Sequence, residues 1–186
     1  MVWQHGWTDS ANKRPSPNFG ARTRVPDLVI HNISLPPFEY GSGSAVDLFQ
    51  NQIDASQHPF FSVIANFRVS SHFFIDRTGE LFQCVSCDDA AYHAGVSSFH
   101  GEAACNGFSI GIELEGCDFE PFNAVQYETL LSLLSQLQAA YPIKAVTGHQ
   151  HIAPDRKTDP GHFFDWECLQ QHGVAVDFNQ TSGWGG

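Results

Sequence analysis

Basic side chains are scarce in this sequence: nine Lys and Arg stand against 20 Asp and Glu in 186 residues, a formal charge of −11. A surface of that sign repels a phosphate backbone, so nucleic acid is excluded as a partner. No apolar run approaches the ~20 residues that a membrane-spanning helix needs, so no membrane partner is expected either. The opening Met1-Val2-Trp3-Gln4-His5 has neither the basic n-region nor the apolar h-region of an export signal, and residence in the cytoplasm is the expectation. The five cysteines, Cys84, Cys87, Cys105, Cys117 and Cys168, form an odd set with irregular spacing, which argues against a disulfide framework. Cys84-Val-Ser-Cys87 lacks the second pair of a zinc ribbon, and it closes a strand-like run where a thioredoxin-type motif would open a helix. These thiols are therefore expected to behave as small buried hydrophobes. Internal repeats and low-complexity tracts are also missing.

Apolar residues, by contrast, make up 42% of the chain and include 16 Phe, ample material for one packed domain, expected as a monomer. Residues 1–25, rich in Pro, Ser, Asn and Gly, read as an extended arm lying on a domain of residues 26–176, with 177–186 as a mobile tail. The run VPDLVIHNI predicts a buried strand ending at His31. Ala45 to Ile53 predicts a short helix. Residues 70–85 predict a hairpin that turns at Asp76-Arg77-Thr78-Gly79. The long irregular stretch from Cys87 to Gly107 is expected to line a site. In Phe108–Gly116 strict alternation places Ile110, Ile112 and Leu114 on one face and Gly111, Glu113 and Glu115 on the other. Asn123 with Gln126 predicts the start of an amphipathic helix, whose buried stripe is Tyr127, Leu130, Leu131, Leu134, Leu137 and Tyr141. Residues 143–148 predict a strand delivering His149. An irregular loop, HQHIAPDRKTDPG, follows, then a short helix over 165–171. The fold class is α/β (α+β): a single domain with a mixed central β-sheet flanked by helices.

Ten histidines are many for this length. Histidine with carboxylate is a catalytic zinc ligand set, because three protein ligands leave a fourth tetrahedral position open. By placement the candidates are His31, His72, His93, His149, His151, Asp155 and Asp159, and spacing alone does not select three.

The strings LVIHNISLPP, RVSSHFFIDRTGELFQCV, AYHAGVSSFHG, CNGFSIGIELEG and GHQHIAPDRKTDPGHFFDW occur in order between residues 14 and 167. Together they resemble the cytoplasmic AmpD-type 1,6-anhydro-N-acetylmuramoyl-L-alanine amidases of the zinc amidase and peptidoglycan-recognition superfamily. The resemblance implies one Zn²⁺ ion and hydrolysis of the amide between the lactyl group of anhydro-N-acetylmuramic acid and the L-alanine of a muropeptide, in cell-wall recycling. It assigns His31, His149 and Asp159 to zinc; His151, on the same strand face as His149 if that strand continues, is the reserve ligand. The resemblance makes Glu113 the general acid/base, in preference to Glu115, and Lys157 the group that stabilises the oxyanion, leaving Arg156 a structural role. Arg68, Tyr92 and His93 are the expected substrate contacts, and His72 is expected to pack behind the site. The sequence departs from the family pattern at Tyr92, where relatives usually carry tryptophan, and at Glu102-Ala103-Ala104, where they tend to carry arginine. A non-catalytic muropeptide-binding module and an amidase acting on intact peptidoglycan are the alternatives to recycling.

Overall fold

The computed structural model describes residues 2–24 and 26–179; residues 180–186 of the expected tail lie outside them. Its centre is a six-stranded mixed sheet built from β1 (Asn12–Lys13), β2 (Asp27–Ile33), β3 (Phe73–Ile75), β4 (Leu81–Gln83), β5 (Ser109–Glu115) and β6 (Val146–Gly148), in the order β6-β2-β5-β3-β4-β1. Pairings β6·β2, β2·β5, β5·β3 and β4·β1 are parallel, and only the β3·β4 hairpin is antiparallel. The segment before residue 25 thus supplies an edge strand, and its Phe19–Ala21 pairs with Asp89–Ala91 in a small separate sheet.

Alternation along the strands gives the sheet two different faces. Leu28, Ile30, Phe73, Ile75, Ile110, Ile112 and Leu114 point to one side, where α3 (Ala124–Ala140) and α5 (Trp166–Gln171) cover them with Leu130, Leu133, Leu134, Leu137 and Leu169. Each fully buried leucine contributes about 1.5–3 kcal/mol of transfer free energy, so this side is the main source of stability. The buried stripe of α3 differs from the predicted one by a small rotation. Leu133 is fully buried, whereas Leu131, Tyr127 and Tyr141 are only half-buried at its margins. Gln126 causes this offset: its buried amide donates to the carbonyls of Ile75 and Glu115 at the ends of β3 and β5, which fixes how the helix sits. The same side chain accepts from the Asn123 N–H at the helix start.

The opposite face is covered in two separate pieces. Helices α1 (Ser44–Phe49) and α2 (Phe61–Ile64) pack on Phe74 with Leu35 and Cys84. A second cluster joins Val29 to Ala94, Phe99, Cys105, Phe108 and Ile152. A cleft opens between the two clusters, over the C-terminal halves of β2 and β5.

Several expectations need adjustment at this level. The predicted helix over 45–53 stops at Phe49. His31 lies two residues inside the end of β2, which runs on to Ile33. The stretch after β6 is not irregular from its first residue, because His149–Ile152 forms one helical turn, α4. All five cysteines are free, and four are buried; burial pushes the Cys84 thiol up to about 12 and the Cys87 thiol higher still. Among the described residues no helix is long and apolar enough to cross a membrane.

Candidate metal centre and active site

Strand register builds the site. In the parallel β2·β5 pair, Glu113 lies directly opposite His31, so the two side chains leave the sheet side by side on the cleft face. Gly148 of β6 pairs with Ile30, so the next residue, His149, emerges beside His31. The chain then turns into α4 and returns through 153–161 with Asp159, whose carbonyl accepts from the Gln150 N–H at 2.8 Å. Asn32, next to His31, donates to the Pro160 carbonyl at 3.1 Å and ties the same loop from the other side.

Three atoms converge. His31 Nδ1 lies 2.9 Å from His149 Nδ1 and 3.0 Å from Asp159 Oδ2, and His149 Nδ1 lies 3.0 Å from the same oxygen. Among the described residues, this His-His-Asp set is the one group whose donor atoms cluster as metal ligands do. Zinc bonded at about 2.0–2.1 Å in a tetrahedron separates its donors by roughly 3.4 Å, so the triangle needs to open by a few tenths of an ångström. Burial pushes His31 down to about 4, aided by the neighbouring His149, so its imidazole is neutral at pH 7 and offers a lone pair. Burial alone would raise Asp159, but its close contacts with His149 and His31 hold it well below the usual carboxylate range. Two imidazoles and one carboxylate are a donor set that suits zinc and leaves a fourth position for substrate chemistry.

Glu113 stands at the edge of this triangle, with Oε1 4.0 Å from His31 Nδ1. Its Oε2 is buried with no hydrogen-bond partner among the described residues. Burial, then the charge of Asp159, pushes this carboxyl well above its ordinary value, and Lys157 pulls in the other direction. Lys157 lines the same cleft, a space of about 250 Å³ that His31, Glu113, His149, Asp159, Tyr92 and His93 also border. Glu115, two residues along, points elsewhere. Its carboxylate accepts from the N–H groups of Gly41 and Arg77 and lashes two loops together.

The remaining candidates separate by place. His151 is not on the face of His149, because the strand ends at Gly148; its Nδ1 accepts from the Gly148 N–H while its ring packs on Trp166 and Phe178. Asp155 is exposed outside the cluster. Arg156 donates to the carbonyls of Ala94 and Val96, a bracing contact. Tyr92 borders the cleft with its hydroxyl bonded to the Phe19 carbonyl. Arg68 is exposed, its guanidinium against the carbonyls of Ala65 and Phe67, and it does not border the cleft, although Phe67 does. His72 is fully buried, accepts from the Gly111 N–H, and is pushed down to about 3 by burial and by Arg22. Sequence reading overlooked Asn106, whose side-chain oxygen accepts from the N–H groups of both His93 and Ala94. It also overlooked Phe49, which borders the cleft from α1. An Asn among small residues and a Phe on a core helix carry no signal of their own.

The model of the family "N-acetylmuramoyl-L-alanine amidase" matches residues 21–162, which include every residue of this site. The chain belongs to the N-acetylmuramoyl-L-alanine amidase family. Among curated proteins, this amidase is 49% identical over 174 residues to 1,6-anhydro-N-acetylmuramyl-L-alanine amidase AmpD of Salmonella typhimurium, covering 89% of this chain and 91% of the relative. Among solved structures, a selenomethionine derivative of AmpD superposes with a TM-score of 0.89 at 45% identity, covering 95% of this amidase and all of that chain. A complex of AmiD from E. coli with anhydro-N-acetylmuramic acid-L-Ala-D-gamma-Glu-L-Lys gives a TM-score of 0.62 at 30% identity, covering 84% of this amidase and 60% of that chain.

Proposed function

We propose that this amidase uses one zinc ion to hydrolyse the amide between the lactyl group of 1,6-anhydro-N-acetylmuramic acid and the L-alanine of muropeptides, within cell-wall recycling. The observation that carries this reading is the triangle of donors from His31, His149 and Asp159 with the unpartnered Glu113 oxygen beside it. The AmpD relatives, similar along nearly their whole length, supply the substrate class, as does the AmiD complex with an anhydromuramyl peptide.

His31, His149 and Asp159 would hold the zinc, which would supply Lewis acidity for the amide carbonyl and the attacking water. Glu113 takes the proton of the attacking water and then delivers it to the leaving alanine amine. Burial suits it to both steps, because a raised pKa makes the carboxyl a stronger proton acceptor that can keep the proton until the amine leaves. Lys157, which lines the same cleft, holds the oxyanion that forms when water adds to the amide. Tyr92 offers a ring edge and face to the sugar. Arg68, exposed beside the cleft residue Phe67, is the contact for stem-peptide carboxylates. His93 borders the same space. The free, mostly buried thiols suit a reducing compartment, which supports the cytoplasm, and the protein acts as a monomer.

Mass-spectrometric product analysis tests the reading. Anhydromuramyl-tripeptide incubated with the zinc-loaded protein is expected to release free tripeptide. A chelator-treated control is expected to release none, and intact sacculi little. Binding without cleavage would overturn the catalytic reading in favour of a muropeptide-binding module, and efficient release from sacculi would overturn the recycling role.

A further inference from the structure

His93 and Ala94 meet the two imidazoles of the donor triangle from behind. The Ala94 carbonyl lies 3.0 Å from His149 Nε2. A carbonyl can only accept, so His149 carries its proton on Nε2 and keeps the Nδ1 lone pair for the metal. His31 Nε2 faces no carbonyl; it faces His93 Nδ1 at 2.8 Å, a contact whose direction depends on both rings.

The direction is settled two bonds further back. Ser109 Oγ donates its single proton to the Cys105 carbonyl at 2.5 Å, so towards His93 it can only accept. His93 Nε2, 3.1 Å away, is then the donor, which leaves a lone pair on His93 Nδ1. That lone pair accepts from His31 Nε2–H, and His31 Nδ1 is left bare towards Asp159 and His149. Every proton in the chain is fixed by one backbone carbonyl at its far end.

The backbone is shaped to hold this arrangement. The His93 ring lies against Gly111 so closely that a Cβ there would sit 2.5 Å from the ring's Cγ. Asn106 grips the N–H groups of residues 93 and 94 together, at 3.0 and 2.7 Å.

The geometry assigns His93, with Ser109 and the Cys105 carbonyl behind it, as a positioning residue that fixes the tautomer and orientation of the ligand His31. This goes beyond its place on the cleft wall and rests on the zinc reading above. A partner that orients a ligating histidine affects metal affinity typically by 10- to 100-fold.

Zinc affinity of the full-length protein, measured by competition with a chelator of known affinity, is expected to fall about 10- to 100-fold in His93→Phe. His93→Asn, whose Oδ1 stands where Nδ1 stood, is expected to restore a good part of it. Long-range ¹H–¹⁵N spectra of the wild type are expected to show the Nε2–H tautomer for His31 and His93, with that preference at His93 weakened in Ser109→Ala. Full zinc affinity in His93→Phe together with a raised KM for anhydromuramyl-tripeptide would overturn the proposal and leave His93 as cleft wall. An Nδ1–H tautomer at His93 would overturn it even if the Phe variant failed to fold. His31→Ala separates the two readings: zinc retained there would sink the metal site itself, whereas zinc lost there and kept in His93→Phe would sink only the positioning role.

Discussion

Glu113 is buried beside Asp159, and both its burial and that neighbouring charge favour its protonated form. A cation held by Asp159 and the two histidines would act in the opposite sense and set the carboxyl between two demands. Glu113→Gln is expected to bind zinc normally and to lose turnover by ~10²-fold or more, the range for removing a general base. Near-normal turnover at full metal content would contradict that role. His72 offers a separate residue-scale prediction, on stability against pH. Its folded pKa, about 3, lies below the unfolded value near 6.5, so below about pH 6.5 the unfolded chain takes up a proton that the native one refuses. The stability it supports is therefore whole above that pH and is lost as pH falls towards 3. Urea titrations between pH 6.5 and 4 are expected to show the wild type losing up to about 1.4 kcal/mol per pH unit more than His72→Asn, one proton's worth. Equal slopes would mean that His72 does not titrate in this way.

At the scale of elements, much of the scaffold is legible in local pattern. The alternation in β5 separates Ile110, Ile112 and Leu114 from Glu113 as the structure does. The turn at Asp76–Gly79 forms as its residues suggest, with Gly79 at φ +83° and Asp76 Oδ1 accepting from the N–H groups of Thr78 and Glu80. What local pattern misses is set by contacts distant in sequence. The Leu133 side of α3 is buried because Gln126 anchors the helix to two strand ends. His149–Ile152 is helical where a loop was expected, and its Gln150 N–H is held by the carbonyl of Asp159. Gln126→Leu leaves those two strand-end carbonyls without this donor and is expected to cost about 1–3 kcal/mol in urea denaturation. Zinc affinity should be unaffected, because α3 lies on the other side of the sheet from the donors. A parallel loss of zinc would show the two faces to be coupled.

Over the whole molecule, the candidate ligands join three segments, since His31 is 118 residues from His149, which is 10 from Asp159. Motif resemblance could name these residues. It could not indicate the partner of His31, because the 62 residues separating it from His93 are bridged only by the fold. A ligand bound by the native state alone stabilises it by mass action, about 2.7 kcal/mol at a hundred times the dissociation constant. Chelation is therefore expected to lower the Tm, and added zinc to raise it progressively, in calorimetric scans; an unchanged Tm would contradict a shared metal. The pairing of His31 with Glu113 across β2 and β5 has a further consequence. Their separation is ruled by the sheet's hydrogen-bonded repeat of about 4.8 Å, among the stiffest dimensions of a protein, and not by the fit of side chains in the core. Erosion of that core by mutation should therefore shorten the enzyme's working lifetime well before it blunts each catalytic encounter, so that durability and chemical competence can drift independently in this molecule.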